Sequence, residues 1–131
     1  MRVLVCGSRS WSDSDRIQKE LNHVFDEFGV CDRTDPFTII DGCARGADTL
    51  AYEIAVRCKW TTERYPADWK RHGHFAGPLR NREMLKEGKP DLVLAFWDGS
   101  SPGTAHMVRL ARQAGVEVRV FSHALEGRDG K

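Results

Sequence analysis

The chain has 131 residues and a formal net charge of +1, with 40% hydrophobic and 30% charged residues. That length suits one hydrophobic core, and the composition is that of a globular chain rather than a disordered one. Bulk charge this close to neutral does not suggest a nucleic-acid coat protein or a membrane-surface binder, so any anion site must come from local placement of arginines, and no apolar run approaches the ~20 residues of a membrane span.

Arg2 to Cys6 reads as a short apolar first strand and not as a signal peptide, so a cytoplasmic protein is expected. Gly7-Ser8-Arg9 forms its loop. Ser12, with Asp15 three residues on, predicts a capping box opening a helix whose stripe is Ile17, Leu21, Val24, Phe25 and Phe28. Gly29 stands at the expected C-terminal stop, and Cys31 to Pro36 form a polar connector. Phe37 to Ile40 is the second strand. It runs into Asp41-Gly42-Cys43-Ala44-Arg45-Gly46-Ala47-Asp48, a second glycine loop, and then a helix striped by Ala47, Leu50, Ala51, Ile54, Ala55 and Cys58.

Thr61 to Tyr65 is a short third strand, followed by Pro66-Ala67-Asp68-Trp69 and a polar loop carrying Arg71, His72 and His74. Ala76 to Glu87 reads as a helix with few apolar positions, so its polar face either meets solvent or points into a site. Asp91 to Phe96 is the fourth strand, apolar enough to be covered on both faces. The loop after it bears Gly99, Pro102, Gly103 and Thr104 and leads to a helix from about Thr104 to Ala114. Glu117 to Phe121 is a fifth, edge strand. Residues 1–122 are expected to form one domain, and 123–131 a flexible polar tail.

Alternating strands and helices predict a three-layer α/β domain of the Rossmann-like kind, with a mainly parallel five-stranded sheet in the order 3-2-1-4-5. All strand-to-helix loops then share one sheet edge, and the switch point falls between strands one and four. The loops at Gly7, Gly42 to Gly46 and Gly99 to Gly103 converge there and bring Arg9 and Arg45 with them. Backbone N–H groups at a helix start, unobstructed by side chains, favour phosphate. A nucleotide or nucleotide-derived ligand is therefore expected. There is no GxGxxG after strand one and no Walker motif, so neither NAD nor ATP chemistry is supported and no cofactor is expected. His72-Gly73-His74 lacks neighbours to complete a metal set, and the cysteines at 6, 31, 43 and 58 show no CxxC spacing; no metal is expected. Trp69 and Trp97, near strand ends, are candidates for stacking on a base.

Val5-Cys6-Gly7-Ser8-Arg9, the Asp41–Asp48 loop, Pro66-Ala67-Asp68-Trp69, Ala76 to Met84 and Pro102-Gly103-Thr104 together resemble the YspA-like branch of the SLOG superfamily. That superfamily groups the LOG, or "lysine decarboxylase-like", phosphoribohydrolases with the DNA-processing protein DprA. The resemblance implies a Rossmann-like fold and a nucleotide-type ligand. It makes Arg80 the counterpart of the hydrolases' catalytic arginine, and Asn81 its neighbour on the same helix. It also places His106 and Met107 where those enzymes carry two glutamates, one of them catalytic. Activity stays open: binding is the first reading, a nucleoside-monophosphate phosphoribohydrolase using Arg80 and His106 the alternative, and DprA-like DNA handling a weaker third, since no basic run is present. A homodimer is compatible with the resemblance. The expected ligand contacts are Gly7, Ser8, Arg9, Gly42, Arg45, Gly46, Asp48, Arg80, Asn81, Pro102, Gly103 and Thr104.

Overall fold

Side chains alternate across a strand, so the first strand sends Val3 and Val5 to one face of the sheet and Leu4 and Cys6 to the other. A computed structural model describes residues 1–28 and 35–122. In it both faces of that strand are covered. The elements are β1 (Arg2–Gly7), α1 (Ser14–Phe28), β2 (Thr38–Asp41), α2 (Ala47–Arg57), β3 (Thr61–Arg64), α3 (Trp69–His72), α4 (Ala76–Gly88), β4 (Leu92–Phe96), α5 (Pro102–Gln113) and β5 (Glu117–Phe121), with a 3₁₀ turn over Gly73–Phe75 before α4. The strands form one parallel sheet in the order β3-β2-β1-β4-β5.

One face carries Val3, Val5, Ile39, Leu92, Leu94 and Phe96 against Ile17, Leu21 and Val24 of α1 and Ala47, Ala51, Ile54 and Ala55 of α2. The small residues at 47, 51 and 55 let α2 approach the strands closely. The other face carries Leu4, Cys6, Ile40, Val93 and Ala95 against Met84 of α4 and Met107, Val108 and Ala111 of α5. The fold is therefore the three-layer Rossmann-like α/β sandwich expected from the strand–helix alternation, with β1 at its centre.

Some local expectations are corrected. The first helix is capped by Asp13, whose carboxylate accepts the Arg16 N–H at 3.0 Å, and not by Ser12. Aspartate is as good an N-cap as serine. The segment at Trp69–His72 is a helical turn rather than loop, started by the Asp68 carboxylate, which accepts the Arg71 N–H at 3.1 Å. α5 opens at Pro102 rather than near Thr104, proline at the first helical position losing no helical bond. Gly29, most of the connector at 31–36 and the tail at 123–131 lie outside the described residues. Among the described residues no helix is long and apolar enough to cross a membrane.

Candidate functional site

At the carboxyl edge of the sheet, Ser8 fastens the loops together. Its N–H donates to the Phe96 carbonyl at 2.9 Å, and its own carbonyl accepts from Trp11 N–H at 3.1 Å and from Ala47 N–H at 3.4 Å. Its hydroxyl accepts the Asp98 N–H at 2.8 Å and lies 3.2 Å from the Ser101 hydroxyl. Ser8 is buried, and its polar atoms are used to join the β1, β2 and β4 loops. Gly7 and Gly46 allow that junction. A Cβ on Gly7 would run into the Phe96 carbonyl oxygen and come within 2.7 Å of the Ala47 methyl. Gly46 has φ of 78°, and a Cβ there would sit 2.6 Å from the Arg9 carbonyl oxygen. Both glycines thus serve loop packing.

The β2 loop is built around two buried carboxylates. Asp41 is fully buried and takes Arg64 Nε at 3.1 Å and Nη2 at 3.0 Å, together with the Cys43 N–H at 2.7 Å. The Arg64 guanidinium also lies over the Tyr52 ring, 3.8 Å from its centroid. Asp48 accepts the Gly42 N–H at 2.8 Å and the Ala44 N–H at 3.4 Å. Burial, with the Asp41 charge second, pushes the Asp48 carboxyl up to about 7. Its ordinary value is 3.8, so the folded state holds a proton between about pH 4 and 7 that the unfolded state has released. The sign follows directly: Asp48 makes stability fall as pH rises through that window. Asp48→Asn, which mimics the protonated acid, should remove that slope, leaving it more stable than wild type at pH 8 by the order of a few kcal/mol. Urea denaturation of both proteins from pH 4 to 8 checks this, and parallel curves would refute the buried-proton assignment.

The polar face of α4 explains why its apolar stripe is thin. Arg80 donates from Nη1 to the Gly42 carbonyl and from Nε to Asn81 Oδ1 at 3.0 Å. Buried Asn81 in turn gives Nδ2 to the Gly103 carbonyl at 3.2 Å and lies 3.1 Å from His106 Nδ1. Its amide has two N–H donors, so both contacts are satisfied when His106 carries its proton on Nε2. Burial lowers the His106 pKa, helped by the Arg109 and Arg82 charges, so the ring is neutral at pH 7. On the β4 loop, the Asp98 carboxylate accepts N–H bonds from Ser100 at 2.8 Å and Ser101 at 3.1 Å, which hold it down at about 2. No side chain caps α5. The Gly103 and Thr104 N–H groups, in its first turn, have no carbonyl four residues back within the helix.

These elements enclose an open cavity of about 650 Å³ between the β1 and β4 loops, α4 and the start of α5. Among the residues read from the sequence, Gly7, Arg9, Asp48, Arg80, Asn81, Pro102, Gly103, Thr104 and His106 line it. Ser8, Gly42, Arg45 and Gly46 do not. Ser8, Gly42 and Gly46 act one step behind, through the bonds and close approaches above, and Arg45 is exposed away from the lining. Trp69 lines the cavity, whereas Trp97 donates Nε1 to the Ser101 carbonyl at 3.2 Å and braces the loop. Asp98, Ser101 and His74 also contribute and were not singled out beforehand as ligand contacts. The Asp98-Gly99-Ser100-Ser101 run was the available signal, since aspartate commonly bonds main chain two residues on.

The model of the YspA, cpYpsA-related SLOG family matches residues 1–72, more than half of the chain. The chain belongs to that family. The matched part of this SLOG protein holds the Gly7-Ser8-Arg9 loop, the Asp41–Asp48 loop and the Pro66–Trp69 segment. It is similar to the Gene 61 protein of Mycobacterium phage D29, 39% identical over 133 residues, covering 92% of this chain and 95% of that one. The fold is also similar to that of DNA processing protein A (DprA) from Streptococcus pneumoniae, with a TM-score of 0.69 and 20% identity. That match covers 91% of this SLOG chain and 49% of the DprA chain, so the chain spans about half of DprA's length.

Proposed function

We propose that this SLOG protein binds a nucleotide or nucleotide-derived small molecule in the cavity at the β1–β4 switch point. The observation that carries the reading is the uncapped start of α5, whose Gly103 and Thr104, with N–H groups that have no partner within the helix, line a cavity also lined by Arg9 and Arg80. Free donors at a positive helix end, flanked by guanidinium groups, suit a phosphate. The cavity volume of about 650 Å³ falls within the usual range for small-molecule sites. Thermal melting with a panel of nucleoside mono- and diphosphates and cyclic nucleotides tests it. A bound ligand at 100 times its Kd should add about 2.7 kcal/mol of stability, and a flat panel would refute the reading.

Gly103 provides the local test. Space is open where its Cβ would project, so Gly103→Val should leave the fold intact and abolish ligand binding by covering the amides. Calorimetry on the folded variant checks it, and binding at wild-type strength would show that the start of α5 is only a turn.

Hydrolysis of the N-glycosidic bond is the alternative activity at the same cavity. An oxocarbenium-like state needs a carboxylate beside the sugar. The two carboxylates in the lining are held by main-chain N–H groups, Asp48 by Gly42 and Ala44 and Asp98 by Ser100 and Ser101, and neutral His106 stands at the α5 position facing Asn81. Nucleoside monophosphates should therefore survive incubation with the protein. Free base on chromatography that disappears in Arg80→Ala would make this a phosphoribohydrolase with a relocated acid. DNA handling is the further reading, favoured by the likeness in fold to DprA. Salt-dependent binding of a labelled single strand, in the absence of any nucleotide response, would establish it instead.

A further inference from the structure

The cavity lining includes chemically different groups, and the phosphate reading uses only some of them. Besides the start of α5, Trp69 and His74 line the wall together with Gly77 and Pro78. Trp69 opens α3, and its indole Cη2 lies 3.5 Å from where a Cβ on buried Gly77 would stand, so the ring rests against the first turn of α4. Half of the residue nevertheless stays exposed, at 50%. The other tryptophans are occupied by the protein. Trp11 packs on Phe96, Trp60 packs between Phe25 and Phe37, and Trp97 is bonded to Ser101. Among the described residues Trp69 has no aromatic partner. A large half-exposed indole in a concave wall is a platform for a planar group.

We infer that Trp69 is the base-stacking wall of the site, and that the ligand is a nucleoside monophosphate whose base lies against the indole while its phosphate meets the Gly103 and Thr104 amides. This rests on the phosphate reading given above. The wall offers ring surface rather than a fixed array of buried donors and acceptors, so adenine and guanine are accepted alike and the larger purines outbind pyrimidines.

Calorimetry of wild type, Trp69→Ala and Trp69→Phe with adenosine monophosphate, guanosine monophosphate and ribose 5-phosphate tests the inference, each variant first checked for a cooperative melt. Wild type should bind both nucleotides about 5- to 150-fold more tightly than ribose 5-phosphate, the range that stacking on an aromatic side chain supplies. Trp69→Ala should lose that advantage and keep its affinity for ribose 5-phosphate, and Trp69→Phe should restore most of it. Equal wild-type affinity for ribose 5-phosphate and the nucleotides overturns the stacking wall while leaving the phosphate site standing. Equal losses for all ligands in Trp69→Ala show that the indole only shapes the cavity and overturn it too. Failure of every ligand to bind folded wild type removes the phosphate reading and this inference with it.

Discussion

Gly7→Val should cost about 3 kcal/mol or more of folding stability, placing it among the most damaging single substitutions in the chain. The reason is local and steric. β1 ends at Gly7, where the position a Cβ would take is already crowded by the Phe96 carbonyl of β4 and the Ala47 methyl of α2. The same Phe96 carbonyl accepts the Ser8 N–H at 2.9 Å, so any outward shift to make room breaks the bond that joins the two central loops. No side-chain rotamer relieves the conflict, because the clash is with the Cβ itself. Gly103→Ala is the matched control. A Cβ there meets nothing within 4 Å and the residue lies in the first turn of a helix, so it should cost little or nothing. Urea midpoints with unchanged slopes measure both. Equal, small effects would mean that the loops at Gly7 can separate without loss.

Arg80→Ala should weaken nucleotide binding by about 1.5–3 kcal/mol, the scale of a hydrogen bond to a charged group. It should also lower stability by about 1–3 kcal/mol, because the Gly42 carbonyl loses its partner. The two effects have separate origins. Nη1 and Nε of Arg80 are given to Gly42 and Asn81, which fixes the guanidinium at the cavity wall. Its remaining N–H groups are the ones proposed to meet the ligand. Lysine keeps the charge but cannot hold both protein bonds in that fixed fork, so Arg80→Lys should recover little of either loss. Calorimetry and urea denaturation of the two variants decide it. Full binding in a folded Arg80→Ala would remove Arg80 from the site and leave it as a clamp between α4 and the β2 loop.

Much of the frame was legible because its signals are local and repeat. The run Leu92 to Phe96 and the residues Val3 to Cys6 have apolar side chains at consecutive positions, which suits short strands covered on both faces. The alanine-rich stripe of α2 announced close packing on the sheet. Parallel strands joined by right-handed crossovers then put every glycine loop on one edge without further information. That rule brings Gly7, Arg9 and Gly103 to one cavity, whereas Arg80, on α4, is pointed to by the family resemblance and lines the same cavity.

What the sequence could not decide is which polar group faces the ligand and which faces the protein. Ser8, Gly42 and Gly46 look like phosphate-loop residues by type, yet folding turns Ser8 and Gly46 into the junction of the β1 and β2 loops and sets Gly42 beneath Arg80. Arg45, one residue from Gly46, is exposed and not part of the lining, whereas Arg80, far off in the chain, arrives at it. Two tryptophans with similar positions beside strand ends part company in the same way, Trp97 bonded to Ser101 and Trp69 left half open on the cavity wall. Periodicity reports the side of an element on which a residue lies, and it determined the layers and the sheet edge. The direction of a loop residue depends on hydrogen bonds to segments distant in sequence, so only the tertiary structure divided these residues between scaffold and site.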